Sequence, residues 1–393
     1  MRLVAFLILS FVLSSLAVLP AATNEVTLRR IPGAGIQPEA ARDGRGNIHL
    51  LYFTGEPAGG DLYYIRSADE GATFTRPIRV NSDAASAIAA GSIRGGQLAL
   101  GAEGRPQVAW NGSGKAGASG PKDPITRASG VQMFYTRLND SGTAFEPQRG
   151  LMQHTVNLDG GGSITADAAG NVYVAWHGND VGTSARTEAD RAVWIARSSD
   201  GGRTFGSETR VWNEATGACG CCALQLFAAP DGLLLLYRSA SAGGTQRDIY
   251  FLGSSDQGRS FSGTRLHPWR INACPMTSMS LAAAGGRTFG AWETEASVFF
   301  GTLDVREHRS INVVEAPAEQ APAKHPRIAV NSKGQALLVW TEGTGHAHGG
   351  SLAWQLFEPD GKPTRVAGHA PGIPALSFAS AVPRRDGGFV VFY

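Results

Sequence analysis

The chain has 393 residues, a formal net charge of +2, 42% hydrophobic residues, 51 Gly and 20 Pro. Its apolar content is too high, and its net charge too low, for a disordered chain. Positive and negative side chains nearly balance and no basic run stands out, so the charge gives no indication of a nucleic-acid or anionic membrane partner. Since Gly is frequent and the apolar runs are mostly short, the sequence predicts an all-β fold of many strands joined by tight turns.

The N-terminus carries the one long apolar run. Arg2 precedes an apolar stretch that ends at Leu19 and is followed by small residues. This order is typical of a secretory signal peptide, and cleavage after Ala17 or near Ala22, or an uncleaved anchor, stay open. We expect residues 1–22 to be the signal peptide and the mature protein to be periplasmic or secreted, with no membrane association after cleavage. The cysteines then meet an oxidising environment.

A short motif recurs after strand-like runs and predicts hairpin turns. It reads Ser67 to Phe74, Ser198 to Phe205 and Ser254 to Phe261, and a degenerate fourth copy keeps Asp140, Gly142 and Phe145. The Asp carboxylate can accept turn N–H groups, the Gly can take a positive φ, and the aromatic ring can anchor the turn in the core. The residues given this structural role are Asp69, Gly71, Phe74, Asp200, Gly202, Phe205, Asp256, Gly258 and Phe261.

A second repeat consists of a Gly-containing turn followed by a strand that ends in an aromatic residue. Its seven copies lie 48 to 66 residues apart and end at Tyr52, Trp110, Trp176, Tyr237, Trp292, Trp340 and Tyr393. A period near 50 with about four strands per unit predicts a β-propeller of four-stranded antiparallel blades. No linker interrupts the series, so residues 23–393 are expected to form one domain. Seven blades are favoured over six, with the strand containing Val26 and Leu28 closing the ring.

The Ser-x-Asp-x-Gly-x-Thr-Phe turns resemble the Asp-boxes, or bacterial neuraminidase (BNR) repeats, of the sialidase superfamily. With the strand repeat, the resemblance covers residues from about 38 to the end. It implies a propeller in which these turns lie on the face opposite the active site. Such turns also occur in proteins without sialidase activity, so the resemblance is specific for fold and weak for function.

The resemblance also implies where catalytic residues would lie. Sialidases of this superfamily have an Arg-Ile-Pro near the first blade, two further Arg that complete a carboxylate clamp, a Tyr/Glu pair and an Asp acid. This chain has Arg30-Ile31-Pro32, but Arg29 stands where the family usually has an aromatic residue. The remaining candidates, which no family motif places, are Arg94, Arg238 and Arg327 for the clamp and Asp61 for the acid.

The acid assignment has a structural alternative. Asp61 lies eight residues before Asp69, and Asp248 stands at the same offset before Asp256. A repeated offset is typical of a structural residue in each blade. Because the catalytic motif is incomplete, we expect the chain to lack sialidase catalysis, and an exo-acting glycoside hydrolase on sialic-acid or related glycans is the alternative.

All four cysteines precede inner strands. Cys219, Cys221 and Cys222 lie before blade four, and Cys274 lies before blade five, so they share one face with most histidines. Two interpretations stay open: disulfides, such as Cys222 to Cys274, or a soft-metal site in which Met276 joins the four cysteines. Copper is the metal that thiolate and thioether ligands favour. His346 and His348 form a further, weaker metal candidate.

Together these features predict an exported, sialidase-like propeller that binds a ligand or a soft metal on its Cys/His face. A glycan, a small ligand or a protein is the expected partner, and the protein is expected to be a monomer. A protein-binding scaffold without a metal or an activity is the third possibility.

Overall fold

The computed structural model describes residues 25–116, 120–125, 130–184, 187–345 and 347–393. The expected signal peptide and His346 lie outside these residues. Within them, no helix has the length and apolar character needed to cross a membrane.

Almost all regular structure is β-strand. A first strand, β1 (Val26–Arg29), precedes the six four-stranded sheets. Blades 1 and 2 consist of β2 (Ile36–Arg42), β3 (Ile48–Glu56), β4 (Gly59–Ser67) and β5 (Ile78–Arg79), then β6 (Gln97–Leu100), β7 (Pro106–Asn111), β8 (Met133–Arg137) and β9 (Arg149–Gly150). Blades 3 and 4 consist of β10 (Thr155–Ala166), β11 (Val172–Asp180), β12 (Ala192–Ser198) and β13 (Thr209–Arg210), then β14 (Gln225–Ala229), β15 (Gly232–Arg238), β16 (Ile249–Ser254) and β17 (Ser262–His267).

Blades 5 and 6 repeat this arrangement, and blade 7 contains both ends of the described chain. Blades 5 and 6 consist of β18 (Met279–Ala284), β19 (Arg287–Thr294), β20 (Ser297–Asp304) and β21 (Arg309–Glu315), then β22 (Ala323–Val330), β23 (Ala336–Glu342), β24 (Gly350–Phe357) and β25 (Pro363–Ile373). Blade 7 consists of β26 (Ser380–Pro383), β27 (Phe389–Phe392) and β1. One α-helical turn, α1 (Ser241–Gly244), and 3₁₀ turns at Pro32–Ala34, Ala90–Ser92, Ala102–Gly104 and Glu188–Asp190 lie in the connections.

The inner strand of each blade packs against the inner strands of its neighbours, and these contacts close a ring of seven blades. The predictions of a seven-bladed β-propeller and of a closing N-terminal strand are therefore confirmed. Blade 7 differs from the others because β1 pairs in parallel with β27, from Val26 opposite Phe389 to Arg29 opposite Phe392. It is a sheet of three strands whereas blades 1 to 6 each have four.

The strand-ending tryptophans form the packing between blades. Trp110, Trp176, Trp292 and Trp340 are all at most 1% exposed. Each lies in a cluster of buried side chains drawn from two adjacent blades. Burial of such large rings favours the packing of neighbouring sheets against one another.

The repeated Ser-x-Asp motif forms the predicted turns between the third and fourth strands of blades 1, 3 and 4. In the first, Asp69 accepts hydrogen bonds from the Thr73 amide (2.8 Å) and hydroxyl (2.6 Å), and the Ser67 hydroxyl accepts one from the Gly71 amide (2.9 Å). The other two copies make the same bonds. Each turn has its Gly at a positive φ of 76° to 81°. Of the three aromatic anchors, Phe261 is buried, whereas Phe74 and Phe205 are half-buried against the core.

The degenerate fourth turn uses a different residue from the one expected. Asn139, rather than Asp140, accepts the amide of Thr143 (3.0 Å) through its side-chain oxygen. Asp140 instead forms an exposed ion pair with Arg105 (2.8 Å). An amide oxygen can replace the carboxylate because the turn needs only an acceptor at this position.

An ion pair crosses the ring near its axis. Glu39 on the inner strand of blade 1 bonds Arg327 on the inner strand of blade 6, although blade 7 lies between them in the ring. Gln97 of blade 2 also donates to Glu39 (3.2 Å). Burial raises the pKa of Glu39 despite the attraction of Arg327. Arg327, a candidate for a substrate clamp, is thus engaged by an internal carboxylate.

Candidate functional site

The turns of the Ser-x-Asp motif and the turns between first and second strands lie on one face of the ring. The opposite face is built from the segments that lead into inner strands and from the connections between second and third strands. We call it the Cys face, because Cys219, Cys221, Cys222 and Cys274 all lie in segments leading into inner strands.

Three of these cysteines form one cluster. The Sγ atom of Cys219 lies 3.3 Å from that of Cys221 and 3.3 Å from that of Cys222, and all three sulfurs are within 4.8 Å of one another. Cys219 and Cys222 are buried, and Cys221 is half-buried. The backbone turns at Gly220 and Cys221. In an extended segment Cys221 and Cys222 would point to opposite sides, so this turn is what lets the three thiols converge.

Hydrogen bonds from neighbouring segments hold this turn. The Cys219 amide donates to the Arg238 carbonyl (3.0 Å), and the Gly220 amide donates to the Glu188 carboxylate (2.7 Å). A Cβ at Gly220 would lie 2.1 Å from Nη1 of Arg191, so the close approach of this guanidinium requires glycine.

The fourth cysteine lies outside the cluster. Among the described residues, the cysteine sulfurs close enough to share one ion are the three named above, and Cys274 is an exposed thiol outside that group. The segment of the expected thioether, Met276, borders the cysteine turn, because the Thr277 carbonyl accepts the Ala223 amide (3.0 Å). Met276 lines a small cavity of about 30 Å³ with Lys324 and His325. All four cysteines are free in this structure, which contains a cysteine cluster and no disulfide.

Guanidinium groups surround the thiols, and two carboxylates link them. Asp159 accepts hydrogen bonds from Arg94 (2.5 and 3.1 Å) and lies 3.8 Å from Arg191. Glu188 accepts one from Arg247 (2.6 Å). The surroundings of the cluster are therefore positively charged overall.

Two of these guanidiniums are under-bonded. Arg191 and Arg247 are 8% and 5% exposed, and in the described part of the chain neither Nε nor Nη1 of either residue makes a hydrogen bond. A buried N–H donor without an acceptor costs about 1–3 kcal/mol, more when it carries charge. Arg247 interacts electrostatically with the sulfurs of Cys219 and Cys221. The cluster is therefore flanked by buried donors that would be satisfied by anionic sulfur.

The three thiols differ in acidity. Burial disfavours the thiolate of Cys222, but hydrogen bonds from Cys219 and Cys221 and the charge of Arg238 outweigh it and lower the Cys222 pKa. Hydrogen bonding to Cys219 and Cys222, together with burial, raises the pKa of Cys221. One negative charge is thus most stable on Cys222, with the other two thiols donating towards it.

His177 lies beside the cluster on β11. It is 1% exposed, and neither ring nitrogen makes a hydrogen bond of normal geometry among the described residues. Burial and the charge of Arg191 lower its pKa to about 4, so the ring is neutral at pH 7. A Cβ at Gly160 would lie 2.5 Å from His177 Nδ1 and 2.6 Å from the Cys222 carbonyl oxygen, which locates the ring next to the cysteine turn.

A buried ion pair between Arg238 and Glu293 lies next to the same region. Arg238 is fully buried and donates to the Arg247 carbonyl (2.8 Å) and to the Glu293 carboxylate (3.2 Å). Burial raises the pKa of Glu293 from 4.5 to about 7 although Arg238 opposes this rise. Arg238, like Arg327, is occupied by a carboxylate of the protein itself.

The remaining catalytic candidates have partners of their own. Arg30 donates to the carbonyls of Pro371 (3.2 Å) and Gly372 and lies over the ring of Tyr393. Arg30, Arg238 and Arg327 therefore have three separate sets of partners. Asp61 accepts the Ala85 amide (2.8 Å), which fixes the connection to the next blade.

Asp248 makes the equivalent bond in blade 4, where it accepts the Trp269 amide (2.9 Å). This repeated contact supports the structural alternative for Asp61. Each of these two carboxylates accepts a backbone amide of the segment that leaves its own blade. The same structural role recurs because the blades repeat.

Sequence reasoning missed several residues around the thiols, namely Asp159, Glu188, Arg191 and Arg247. None belongs to a repeat or a motif, and their sequence positions span almost 90 residues. The Gly160-Gly161-Gly162 run was the available signal, because it follows Asp159 and marks a bulge in β10 where a close backbone approach is needed. Cys219 and Cys222 also have the Cys-x-x-Cys spacing common in redox and metal sites.

No protein-family model matches the chain, and no curated protein matches its sequence. Solved structures do resemble it. A protein of unknown function from Dyadobacter fermentans matches with a TM-score of 0.52 and 14% identity over 85% of this chain and 93% of that one. An α-L-arabinanase from Penicillium chrysogenum, complexed with arabinobiose, matches with a TM-score of 0.53 and 15% identity over 84% and 94%.

A sialidase from Trypanosoma rangeli matches with a TM-score of 0.52 and 11% identity over 84% of this chain and 54% of that one, so the chain spans about half of that protein. The fold is a sialidase-like β-propeller. At these identities the likeness concerns the fold, and it confirms the propeller that the Asp-box turns predicted.

Proposed function

We propose that the protein is an exported, sialidase-like propeller that binds one soft monovalent metal ion, Cu(I), through Cys219, Cys221 and Cys222. The observation that carries the proposal is the convergence of three thiols within 4.8 Å on the Cys face. Soft thiolate ligands favour Cu(I), Zn²⁺ and iron–sulfur clusters, and the number of ligands decides among them. Export follows from the apolar N-terminal segment and remains part of the proposal.

The charges around the cluster support a thiolate-rich bound state. Three thiolates with one monovalent cation carry a net charge of −2, which is costly to bury unless positive groups compensate it. Arg191 and Arg247 supply buried positive charge next to the sulfurs and have N–H donors without acceptors. Binding of the metal would give these donors anionic sulfur acceptors.

The donor set favours Cu(I) over Zn²⁺. Structural zinc is held by four protein ligands, whereas the described residues bring three Cys, His, Asp or Glu ligand atoms within sharing distance, all of them cysteine sulfurs. Neutral His177 is a neighbour of the cluster but is not one of the groups within that distance. A metal that accepts three sulfur ligands therefore matches the site better than one that requires four.

An anaerobic titration tests the proposal. Fully reduced protein is titrated with Cu(I) in the presence of a chromophoric Cu(I) chelator, and one equivalent is expected to be withheld from the chelator. The variants Cys219→Ser, Cys221→Ser and Cys222→Ser should each lose this binding, and Cys274→Ser, whose thiol lies outside the cluster, should retain it. Absence of stoichiometric binding by the reduced wild type would refute the proposal, and loss in Cys274→Ser would return that residue to the site.

A second pair of variants tests the role of the charges. Arg247→Met should weaken Cu(I) binding by about 10- to 100-fold, the range for residues that support metal ligands. Arg306→Met, which removes an exposed arginine in a turn of blade 5, is the matched control. Equal affinities for the two variants would show that Arg247 does not compensate the charge of the loaded site.

The alternative function is exo-acting glycoside hydrolysis. It is favoured by the fold that the chain shares with a sialidase and an arabinanase. Against it, Arg238 and Arg327 form ion pairs with Glu293 and Glu39 of the protein itself. We propose that a fluorogenic sialoside is not turned over. Turnover that Arg30→Ala abolishes would overturn this and establish the alternative.

A further inference from the structure

We propose that the three-cysteine cluster is also a thiol–disulfide exchange site, in which Cys221 reacts with an external disulfide and Cys219 then closes an intramolecular disulfide with it. The substrate class is a small-molecule or protein disulfide. The inference uses the sulfurs of the proposed copper site but does not require that copper binds there.

Exposure assigns the first step to Cys221. It is half-buried, whereas Cys219 and Cys222 are fully buried. Cys221 is therefore the most accessible of the three cysteines to an external disulfide. As the Cys221 sulfur attacks, its proton passes to the neighbouring Cys222 sulfur, so the step forms a mixed disulfide between Cys221 and one half of the external disulfide and releases the other half as a thiolate.

Distance assigns the second step to Cys219. Its Sγ atom lies 3.3 Å from that of Cys221, so it needs little movement to attack the mixed disulfide. This attack forms the Cys219–Cys221 bond and releases the second external thiolate. In total two protein thiols are oxidised, one external disulfide is reduced to two thiols, and the two protons pass to those products.

Cys219 also lies 3.3 Å from Cys222, so the disulfide can pass to the Cys219–Cys222 pair by internal exchange. In either form one cluster thiol stays reduced. Since three thiolates are needed for the proposed copper site, oxidation and metal binding exclude each other.

The experiment uses the full mature chain with Cys274→Ser, which removes the exposed thiol from the count. Reduced protein is incubated anaerobically with glutathione disulfide, alkylated at intervals and analysed by intact and peptide mass spectrometry. We expect one intramolecular disulfide and one alkylated cluster cysteine. Cys221→Ser should react about tenfold more slowly, because its remaining cluster thiols are buried. Cys219→Ser should accumulate a glutathione adduct on Cys221.

Three results would overturn the inference: full alkylation of all cluster thiols after incubation, equal rates for the parent and Cys221→Ser, or fast ring closure in Cys219→Ser. Circular dichroism checks that each variant is folded. If a variant is less stable and its reaction rate changes for that reason, the glutathione adduct on Cys221 in Cys219→Ser still identifies Cys221 as the first thiol to react. Preloading with Cu(I) separates the two proposals. Disulfide formation without copper binding leaves this inference standing and refutes the copper site, and copper binding without disulfide formation does the reverse.

Discussion

Glu293→Gln tests whether burial or the attraction of Arg238 dominates the pKa of Glu293, since the answer determines how stability depends on pH. Glu293 is 2% exposed, and its pKa rises from 4.5 to about 7, because the loss of hydration outweighs the attraction of Arg238. Since the folded state binds the proton more tightly than the unfolded state, this carboxyl favours folding fully below pH 4.5. That contribution is lost as the pH rises towards and through 7.

The size of the effect follows from the two pKa values. Two and a half pH units at about 1.4 kcal/mol each give a ceiling of about 3 kcal/mol. Glutamine cannot ionise, so the stability of the variant relative to the wild type should increase by up to this amount between pH 4.5 and 8. The lost acceptor for Arg238 (3.2 Å) adds a cost that does not depend on pH.

Urea unfolding of both proteins at pH 5, 6, 7 and 8 measures this difference in the free energy of unfolding. Glu358→Gln, which changes an exposed carboxyl in blade 6, is the control and should follow the wild type at every pH. A constant difference between wild type and Glu293→Gln over this range would refute the reasoning, since it would mean that burial does not favour the protonated carboxyl.

Other variants test the propeller itself. Phe261→Ala removes a buried ring and should destabilise by about 3–5 kcal/mol in denaturant unfolding, whereas Phe205→Ala, whose ring is half-buried, should cost clearly less. Equal costs would contradict this order. Gly202→Ala places a Cβ 1.7 Å from a tyrosine hydroxyl and should cost more than Gly142→Ala, since both have a positive φ but nothing lies within 4 Å of the Cβ at Gly142. Thermal unfolding in which Gly142→Ala is the less stable variant would contradict it.

Most of the fold could be predicted from the sequence, because the two repeats indicate a series of similar four-stranded blades. Each blade must bury the same faces and turn at the same points, so residues such as Trp176 and Asp200 have counterparts at equivalent positions of other blades. The exception in the fourth turn, Asn139 in place of Asp140, shows the limit of this reasoning. The turn needs a hydrogen-bond acceptor at one place in the structure. Where the spacing of the motif is irregular, the sequence does not show which residue provides that acceptor.

The candidate site was predictable only in part. The cysteines were visible as a dense local motif, Cys219-Gly220-Cys221-Cys222. The surrounding charges come from blades 2, 3 and 4 and converge only once the ring has formed. Cys274 illustrates the same difficulty, because its position before an inner strand resembled that of the cluster while its side chain is exposed elsewhere on the face.

The pairing of β1 with β27 has a consequence for how the ring opens. Successive blades are joined by the chain itself, but this parallel pair joins residues as distant in sequence as Val26 and Phe389 and extends over four residues of each strand. Its closure carries the largest loop entropy in the described chain. We therefore expect the amides of β1 to lose hydrogen-exchange protection by local opening, at a lower free energy than those of the strands around the cysteine cluster.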